Sequence, residues 1–168
     1  MLGLARAIDR FTERSGIVFA WLIAPLLAAV AWEVVARYAF DAPTSWAYET
    51  IYMLYAAMFM LGAAYALRVG AHIRTDFLWE RWPARTRAAI ETIAYLAGFF
   101  PAMGLFLVAG LESTWSSYAI GERSAETAWA PPLWPLKALV PASALLLIVQ
   151  GVSELLKSVH ASHAEWKR

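Results

Sequence analysis

The sequence contains no cysteine, and it has few charged residues for a chain of 168 residues. Without cysteine the chain can form no disulfide, no thiolate metal site and no thiol nucleophile. Charged residues make up 16% of the chain, whereas soluble domains contain about 25%. Hydrophobic residues make up 61%. This composition is atypical of a soluble domain and indicates a membrane protein.

Four apolar stretches of about twenty residues or slightly more are long enough to cross a bilayer. At 1.5 Å per residue, a helix of about twenty residues spans a hydrocarbon core of about 30 Å. The connections between the stretches are short and polar. We therefore predict an all-α membrane protein that forms one unit over residues 1–168. The predicted spans are 16–36, 46–67, 90–111 and 133–156.

Lysine and arginine are distributed unevenly along the chain. Eleven of the fourteen precede the first span, lie between the second and third, or follow the fourth. The connection between the third and fourth spans is instead acidic, through Glu112, Glu122 and Glu126. By the positive-inside rule, both termini and the middle connection are cytoplasmic. A net charge of +1 gives no indication of nucleic-acid binding.

Two short amphipathic segments are predicted to lie on the membrane surface. The N-terminal leader is a helix with Leu4, Ile8 and Phe11 opposite Arg6, Arg10 and Arg14. In the middle connection, residues 75–82 could form a second such helix before Pro83. A secretory signal cleaved after residues 29–31 is the alternative for the N-terminus. The amphipathic pattern of the leader favours a surface helix.

Histidine is scarce, and its positions exclude a haem protein. A b-type haem held between helices needs axial ligands inside the spans, and no predicted span contains histidine. His72 and Asp76 have the i, i+4 spacing of a metal pair, but two ligands are weak evidence of a site. A hydrogen bond that fastens the connection is the favoured interpretation. No catalytic, cofactor or metal site is predicted.

Small residues recur every four positions in the second predicted span, at Gly62, Ala66 and Gly70. This spacing allows two helix backbones to approach closely in lipid. Packing inside the four-helix unit and docking onto another protein are both compatible with it. Pro101 and Pro141 each remove a backbone donor within a span and predict kinks.

Four ionisable residues lie within or one turn inside the spans, towards the side opposite the cytoplasm: Glu33, Arg37, Glu49 and Lys137. A charge at the bilayer centre costs about 2.5 to 3.5 kcal/mol on insertion scales, so these groups should pair or reach the interface. Glu33 or Glu49 could be a proton or coupling-ion site. We favour ion pairs, Glu33 with Arg37 and Glu49 with Lys137 or with a partner subunit, because the charges are balanced and shallow.

Two groups of residues match one known family in order and spacing. The first group is Trp46, Glu49, Gly62, Ala63, Arg68, Gly70, His72, Ile73, Asp76, Arg85 and Arg87; the second is residues 132–137 (PLWPLK), Pro141 and Gln150. Together they resemble the small membrane subunit, the DctQ-like component, of tripartite ATP-independent periplasmic (TRAP) transporters. Thr50 stands where many relatives carry a second acid, and Ala142 where many carry glycine. The first departure counts against any role that needs a carboxylate pair.

The resemblance implies a non-catalytic scaffold subunit in the bacterial inner membrane. It implies a complex with a larger multi-helix subunit that carries the substrate and with a periplasmic binding protein that delivers it. It also implies import of an organic acid, driven by a sodium gradient. The candidate residues for structural or partner contacts are Glu33, Arg37, Trp46, Glu49, Gly62, Ala66, Arg68, Gly70, His72, Asp76, Trp134 and Lys137.

Two other classes of protein are alternatives for this sequence. The chain could be an autonomous four-helix exporter in which Glu33 exchanges protons for cations, but its middle connection is long for that design and Glu33 is shallow. It could be a membrane enzyme, but no serine and base arrangement, cysteine or intramembrane histidine offers a nucleophile or metal centre. The absence of a broken helix pair or inverted repeat also counts against an internal substrate site.

Overall fold

The computed structural model describes residues 2–70 and 84–166. The helices are α1 (Leu2–Ala20), α2 (Ile23–Ala39), α3 (Ala47–Arg68), α4 (Ala84–Ile93), α5 (Phe100–Ala119) and α6 (Trp134–Trp166), with a π-helical turn (Ala94–Phe99) between α4 and α5. Within the described ranges, four helical runs are long and apolar enough to cross a membrane: Gly3–Ala39, Ala47–Arg68, Ala89–Ala119 and Trp134–His160. This confirms the all-α class and the four membrane helices. His72, Asp76 and the predicted surface helix at 75–82 lie outside the described residues.

The third and fourth helical runs extend beyond the predicted spans 90–111 and 133–156. Apolar runs end at the first polar residues, whereas a helix continues wherever its polar groups find partners. Thr114 illustrates this, because its hydroxyl donates to the carbonyl of Gly110 one turn earlier, at 2.7 Å. The hydroxyl of Thr114 is thus satisfied within the helix, and α5 continues to Ala119, about two turns past the end of the predicted span.

The first helical run is interrupted at Trp21 and Leu22, inside the predicted span 16–36. Pro25 explains the break, because it lacks the amide that would bond the carbonyl of Trp21. That carbonyl instead accepts a hydrogen bond from Ala24 at 3.1 Å. The sequence analysis considered Pro101 and Pro141 but overlooked Pro25. As a result, α1 and α2 are separate helices.

Pro101 lies in the first turn of α5, directly after the π-helical turn. A local change to wider helical turns is one way in which membrane helices accommodate the donor that proline removes. The described part of the third run therefore combines α-helix, π-helix and α-helix over residues 84–119.

The last helix, α6, lies at the centre of the packing. It contacts α1, α3, α4 and α5, whereas α2 packs against α3. The residues of α6 that face its neighbours are small or polar, and Pro141, Ser143, Ala144, Gly151 and Ser153 are all buried. Such residues allow neighbouring backbones to come close, which is how helices associate in lipid.

Among the described residues, alanine is the hydrophobic residue found buried, apart from Pro131 and Pro141, and many large apolar side chains are exposed. Ala29, Ala47, Ala64 and Ala144 are buried, whereas residues such as Leu105 are exposed. In a soluble domain the large apolar side chains would form the core. The arrangement suits a chain whose surroundings are lipid.

Close backbone contacts occur at three glycines that the sequence analysis had not selected. A Cβ atom would lie 2.7 Å from Tyr65 at Gly16, 2.8 Å from Pro141 at Gly110 and 2.5 Å from Phe99 at Gly151. At Gly62 such an atom would meet nothing within 4 Å. Among the described residues Gly62 therefore has no close internal contact, and its packing and docking roles stay predictions.

Gly70 also has a different role from the predicted one. It lies beyond the last residue of α3 with a φ of 68°, in the left-handed region that favours glycine. Its amide donates a hydrogen bond to the carbonyl of Leu67 at 3.2 Å. Gly70 therefore ends α3 and does not extend its small-residue face.

We predict that Gly110→Ala and Gly62→Ala change the stability of the chain in opposite directions. The added methyl group at Gly110 meets the rigid Pro141 ring, and overpacking of this kind costs about 1 to 3 kcal/mol. At Gly62 there is space, and alanine favours a helix by up to about 1 kcal/mol over glycine. Thermal unfolding in detergent, followed by circular dichroism, measures both. Equal changes in the melting temperature of the two variants would contradict this description of the packing.

Candidate functional site

Side-chain hydrogen bonds and ion pairs concentrate at the two ends of the helix bundle. We call one the loop end; it comprises the connections 40–46 and 120–133 with the adjoining helix ends. The other is the terminal end, formed by α1 and the C-terminal parts of α3 and α6. Each end joins elements that are far apart in sequence, as the hydrogen bonds that Thr127 donates to Glu49 and Ser153 donates to Asp9 illustrate.

At the loop end, Glu33 fastens the chain that leaves α2. Its Oε1 accepts bonds from the Nε (3.1 Å) and Nη2 atoms of Arg37, as the i, i+4 spacing predicted. Its Oε2 accepts bonds from the amide (3.1 Å) and the hydroxyl of Thr44. Asp41 between them has a φ of 49°, which reverses the chain. Both carboxylate oxygens are therefore engaged in holding this connection.

Lys137 pairs with Glu122 rather than with Glu49, so the predicted Glu49 and Lys137 pair is wrong. Gly121 has a φ of 63° and turns the chain at the end of α5. The turn places Glu122 beside the start of α6, where its carbonyl accepts a bond from the Leu133 amide at 3.0 Å. The hydrogen bond from Lys137 holds the pKa of the Glu122 carboxyl below its usual value. Glu122 thus joins α5 to α6 through both backbone and side chain.

Glu49 lies in the first turn of α3 and is only 4% exposed. Its Oε1 accepts a hydrogen bond from the hydroxyl of Thr127 in the connection 120–133. The carboxylate lines a cleft of about 560 Å³ between α3, this connection and the start of α6. Glu49 is thus the most buried acidic side chain of the described loop end.

Two candidate tryptophans flank the loop end at helix starts. Trp46 immediately precedes α3, and its carbonyl accepts a bond from the Thr50 amide at 3.0 Å. Trp134 begins α6 and packs edge-on against Tyr118, with the ring centroids 5.9 Å apart. Both indole side chains remain partly exposed, which is typical of tryptophan at headgroup depth.

At the terminal end, Asp9 of α1 binds α6 through several hydrogen bonds. Its Oδ1 accepts bonds from Gln150 Nε2 at 3.0 Å and Ser153 Oγ at 2.7 Å. Lys157 lies 3.3 Å from its Oδ2 and 2.6 Å from Glu154. Gln150 is completely buried and also donates to Glu154 at 2.8 Å. This Asp9 cluster docks α1 on the central helix.

The sequence analysis missed Asp9 and Ser153, although the pattern was visible. Gln150, Ser153 and Lys157 form a polar stripe at i, i+3 and i+7 on an otherwise apolar helix. Such a stripe within a membrane span requires polar partners on a neighbouring helix. Arg68, which was a candidate, pairs with Glu13 of α1 at 3.1 Å. The leader is thus joined to both α3 and α6.

The candidate residues therefore separate into distinct groups. Glu33 and Arg37 form one contact, Lys137 belongs to another, and Arg68 lies at the opposite end of the bundle. Ala66 is half-buried on α3. Among the described residues, no three side chains of the His, Cys, Asp or Glu type come together as a possible metal site. The arrangement can hold helices and connections in place.

Comparison with known proteins gives a family and one relative. The family model for the DctQ component of tripartite ATP-independent periplasmic transporters matches residues 26–161. The sialic acid TRAP transporter small permease protein SiaQ of Vibrio cholerae is 24% identical over 114 residues, which cover 59% of this chain and 66% of that protein. The match spans just under two thirds of the relative's length. All of α1 lies before the residues that the family model matches.

We predict that Asp9→Ala destabilises the chain by about 1 to 3 kcal/mol, because Gln150 Nε2 and Ser153 Oγ of α6 each lose one of their two acceptors and Lys157 loses one of its two carboxylate partners. Glu13→Gln is the matched control on the same helix. It removes a half-exposed ion pair with Arg68, which is worth about 1 kcal/mol or less. Thermal unfolding in detergent compares the two variants. A loss for Glu13→Gln equal to that for Asp9→Ala would contradict the anchoring role of the Asp9 cluster.

Proposed function

The chain belongs to the DctQ family, the small permease components of tripartite ATP-independent periplasmic transporters, and on this premise we propose that it is a non-catalytic scaffold for a larger transport subunit. That larger multi-helix subunit would carry the substrate. A soluble periplasmic binding protein would deliver it. The chain itself is a multi-pass membrane protein, and its contribution would be to hold the moving subunit in place.

The observation that supports the scaffold proposal is that polar side chains at the loop end are bonded to other parts of the same chain. Glu33 has both carboxylate oxygens bonded within the chain, and Lys137 and Glu122 join two consecutive helices. These groups therefore fasten connections to helix ends and are not free to bind a passing substrate. A substrate site in a transporter usually needs interrupted helices with open backbone groups at the bilayer midplane.

The distribution of charge supports an orientation in the bacterial inner membrane with both termini in the cytoplasm. The loop end would then face the periplasm, where the binding protein arrives, and the terminal end the cytoplasm. In α1, Leu4 and Phe11 are exposed beside the exposed Arg6 and Arg10. We propose that this side of α1 lies at the lipid surface while its Asp9 side contacts α6.

The substrate class is proposed from the family and from the named relative. The Vibrio cholerae relative is named as a small permease protein of a sialic acid TRAP transporter. Sialic acid is an organic acid. We propose that this chain also serves the import of an organic acid, with a sodium gradient as the driving force. Gly62 and Ala66 are proposed to face the larger subunit, since the space beside Gly62 permits close approach of another helix.

The rival function, an autonomous proton-coupled exporter, would use Glu33. A carboxyl that carries protons must release its partners in each cycle. Glu33 instead accepts four hydrogen bonds, from Arg37 and Thr44. This arrangement favours a structural role for Glu33.

We predict that the chain, co-expressed with the large membrane subunit of its transporter, co-purifies with that subunit in detergent. Reconstituted together in liposomes, with the loaded binding protein outside, the pair should accumulate an organic acid only when a sodium gradient is present. The chain alone should transport nothing. Proton-coupled cation transport by the purified chain without a partner would contradict the scaffold function and support the exporter.

A further inference from the structure

We propose that Glu49 is neutralised in the assembled transporter by a basic side chain of the large membrane subunit. That side chain would enter the cleft beside α3 from a partner helix lying along the aromatic face of α3. The inference rests on the proposed pairing of this chain with a large subunit. It adds to that proposal the place of contact and the chemistry of the partner.

The first observation is the state of the Glu49 carboxylate. It is 4% exposed, and its side-chain partner within residues 2–70 and 84–166 is the neutral hydroxyl of Thr127. Across those same ranges, no basic side chain forms an ion pair with it. An ionised carboxylate removed from water is stable only when it is paired or otherwise compensated. In the isolated chain the N-terminus of α3 compensates this charge only in part, because Glu49 lies in the first turn of that helix and has no cation beside it within the described residues.

The second observation is that the nearby bases are already engaged. At the described loop end, Arg37 pairs with Glu33, and Lys137 pairs with Glu122. Arg123 donates to the carbonyl of Ala130 at 3.0 Å. A compensating cation for Glu49 must therefore come from outside this part of the chain or displace one of these contacts.

The third observation is the space available beside Glu49. The cleft of about 560 Å³ is open to the exterior, and part of its lining is apolar and aromatic, from Tyr48, Tyr52 and Met53 of α3 and Leu136 of α6. The rest of the lining is polar and includes Glu122, Glu126 and the already engaged Arg123. Its volume is within the range of about 300 to 1,000 Å³ typical of small-ligand sites. One lysine or arginine side chain fits easily. The apolar and aromatic lining suits the long stem of such a side chain, and Glu49 suits its charged end.

The fourth observation concerns the aromatic face of α3 beside the cleft, and it favours a protein helix over lipid as the neighbour of that face. Tyr48, Tyr52, Tyr55 and Phe59 lie on one face of α3 at i, i+4, i+7 and i+11, and each is more than half exposed. Tyr55 lies roughly 12 Å from the start of α3, well inside the predicted span. Its hydroxyl and that of Tyr52 form no hydrogen bond within the described residues. Lipid tails offer no acceptor, whereas a helix of the large subunit can.

The test compares Glu49→Gln with Glu126→Gln in the co-purified complex and in the isolated chain. Both substitutions remove one negative charge at the same cleft, but Glu126 is exposed and should not contact the partner's base. We expect Glu49→Gln to lower the affinity for the large subunit about tenfold or more, and Glu49→Lys to lower it further. The melting temperature of the isolated Glu49→Gln chain should be unchanged or raised, because a buried charge is lost. Glu126→Gln should leave the affinity unchanged.

Three results would overturn the inference. Unchanged affinity of the Glu49→Gln complex would show that no partner charge depends on this carboxylate. A similar loss of stability in the isolated chain and in the complex would show that Glu49 acts through its internal contact with Thr127 and not through the partner. An intact complex with altered sodium dependence of transport would make the carboxylate an ion site. By contrast, a wild-type chain that retains no large subunit would contradict the proposed function, and this inference with it.

Discussion

Apolar helices in a bilayer gain little from mutual contact, because lipid tails are as apolar as their side chains. They associate where backbones come close or where polar groups pair. Both conditions are met along α6, where Gly110 of α5 meets Pro141, Gly151 meets Phe99 of the π-helical turn, and Ser153 bonds Asp9 of α1. These small and polar contacts hold α1, α5 and the π-helical turn against α6, and many large apolar side chains are left to face lipid.

The polar contacts at the two ends of the bundle complete this arrangement. At the loop end, Glu33 and Glu122 each tie a connection to a neighbouring helix end. At the terminal end, the Asp9 cluster and the pair of Glu13 with Arg68 attach α1 to α6 and α3. Glu49 differs from these groups, because its neutral partner Thr127 does not compensate its charge. Within the described residues, Glu49 is thus the buried charge that the proposed partner would neutralise.

The sequence was sufficient to predict the four membrane helices and the pair of Glu33 with Arg37, since hydrophobic length and i, i+4 spacing are local properties. It was insufficient for contacts that depend on tertiary packing. The spacing of Gly62, Ala66 and Gly70 suggested a packing face, but close approach occurs at Gly16, Gly110 and Gly151. The similar depth of Glu49 and Lys137 suggested an ion pair between them, whereas the turn at Gly121 brings Glu122 to Lys137 instead. The polar stripe of Gln150, Ser153 and Lys157 indicates that α6 needs a polar partner, but no local pattern identifies Asp9, about 140 positions away in sequence, as that partner.

The central claim is that this chain keeps one internal arrangement while the larger subunit moves. Because the chain has no native cysteine, spin labels can be placed at single introduced cysteines, at the exposed Ala42 and Ala128 of the loop end. Double electron–electron resonance on the reconstituted complex then measures the distance between them with and without sodium and the loaded binding protein. The account predicts one unchanged distance. A shift of about 5 Å, one helical turn, would show that the chain moves during transport and would contradict the scaffold function.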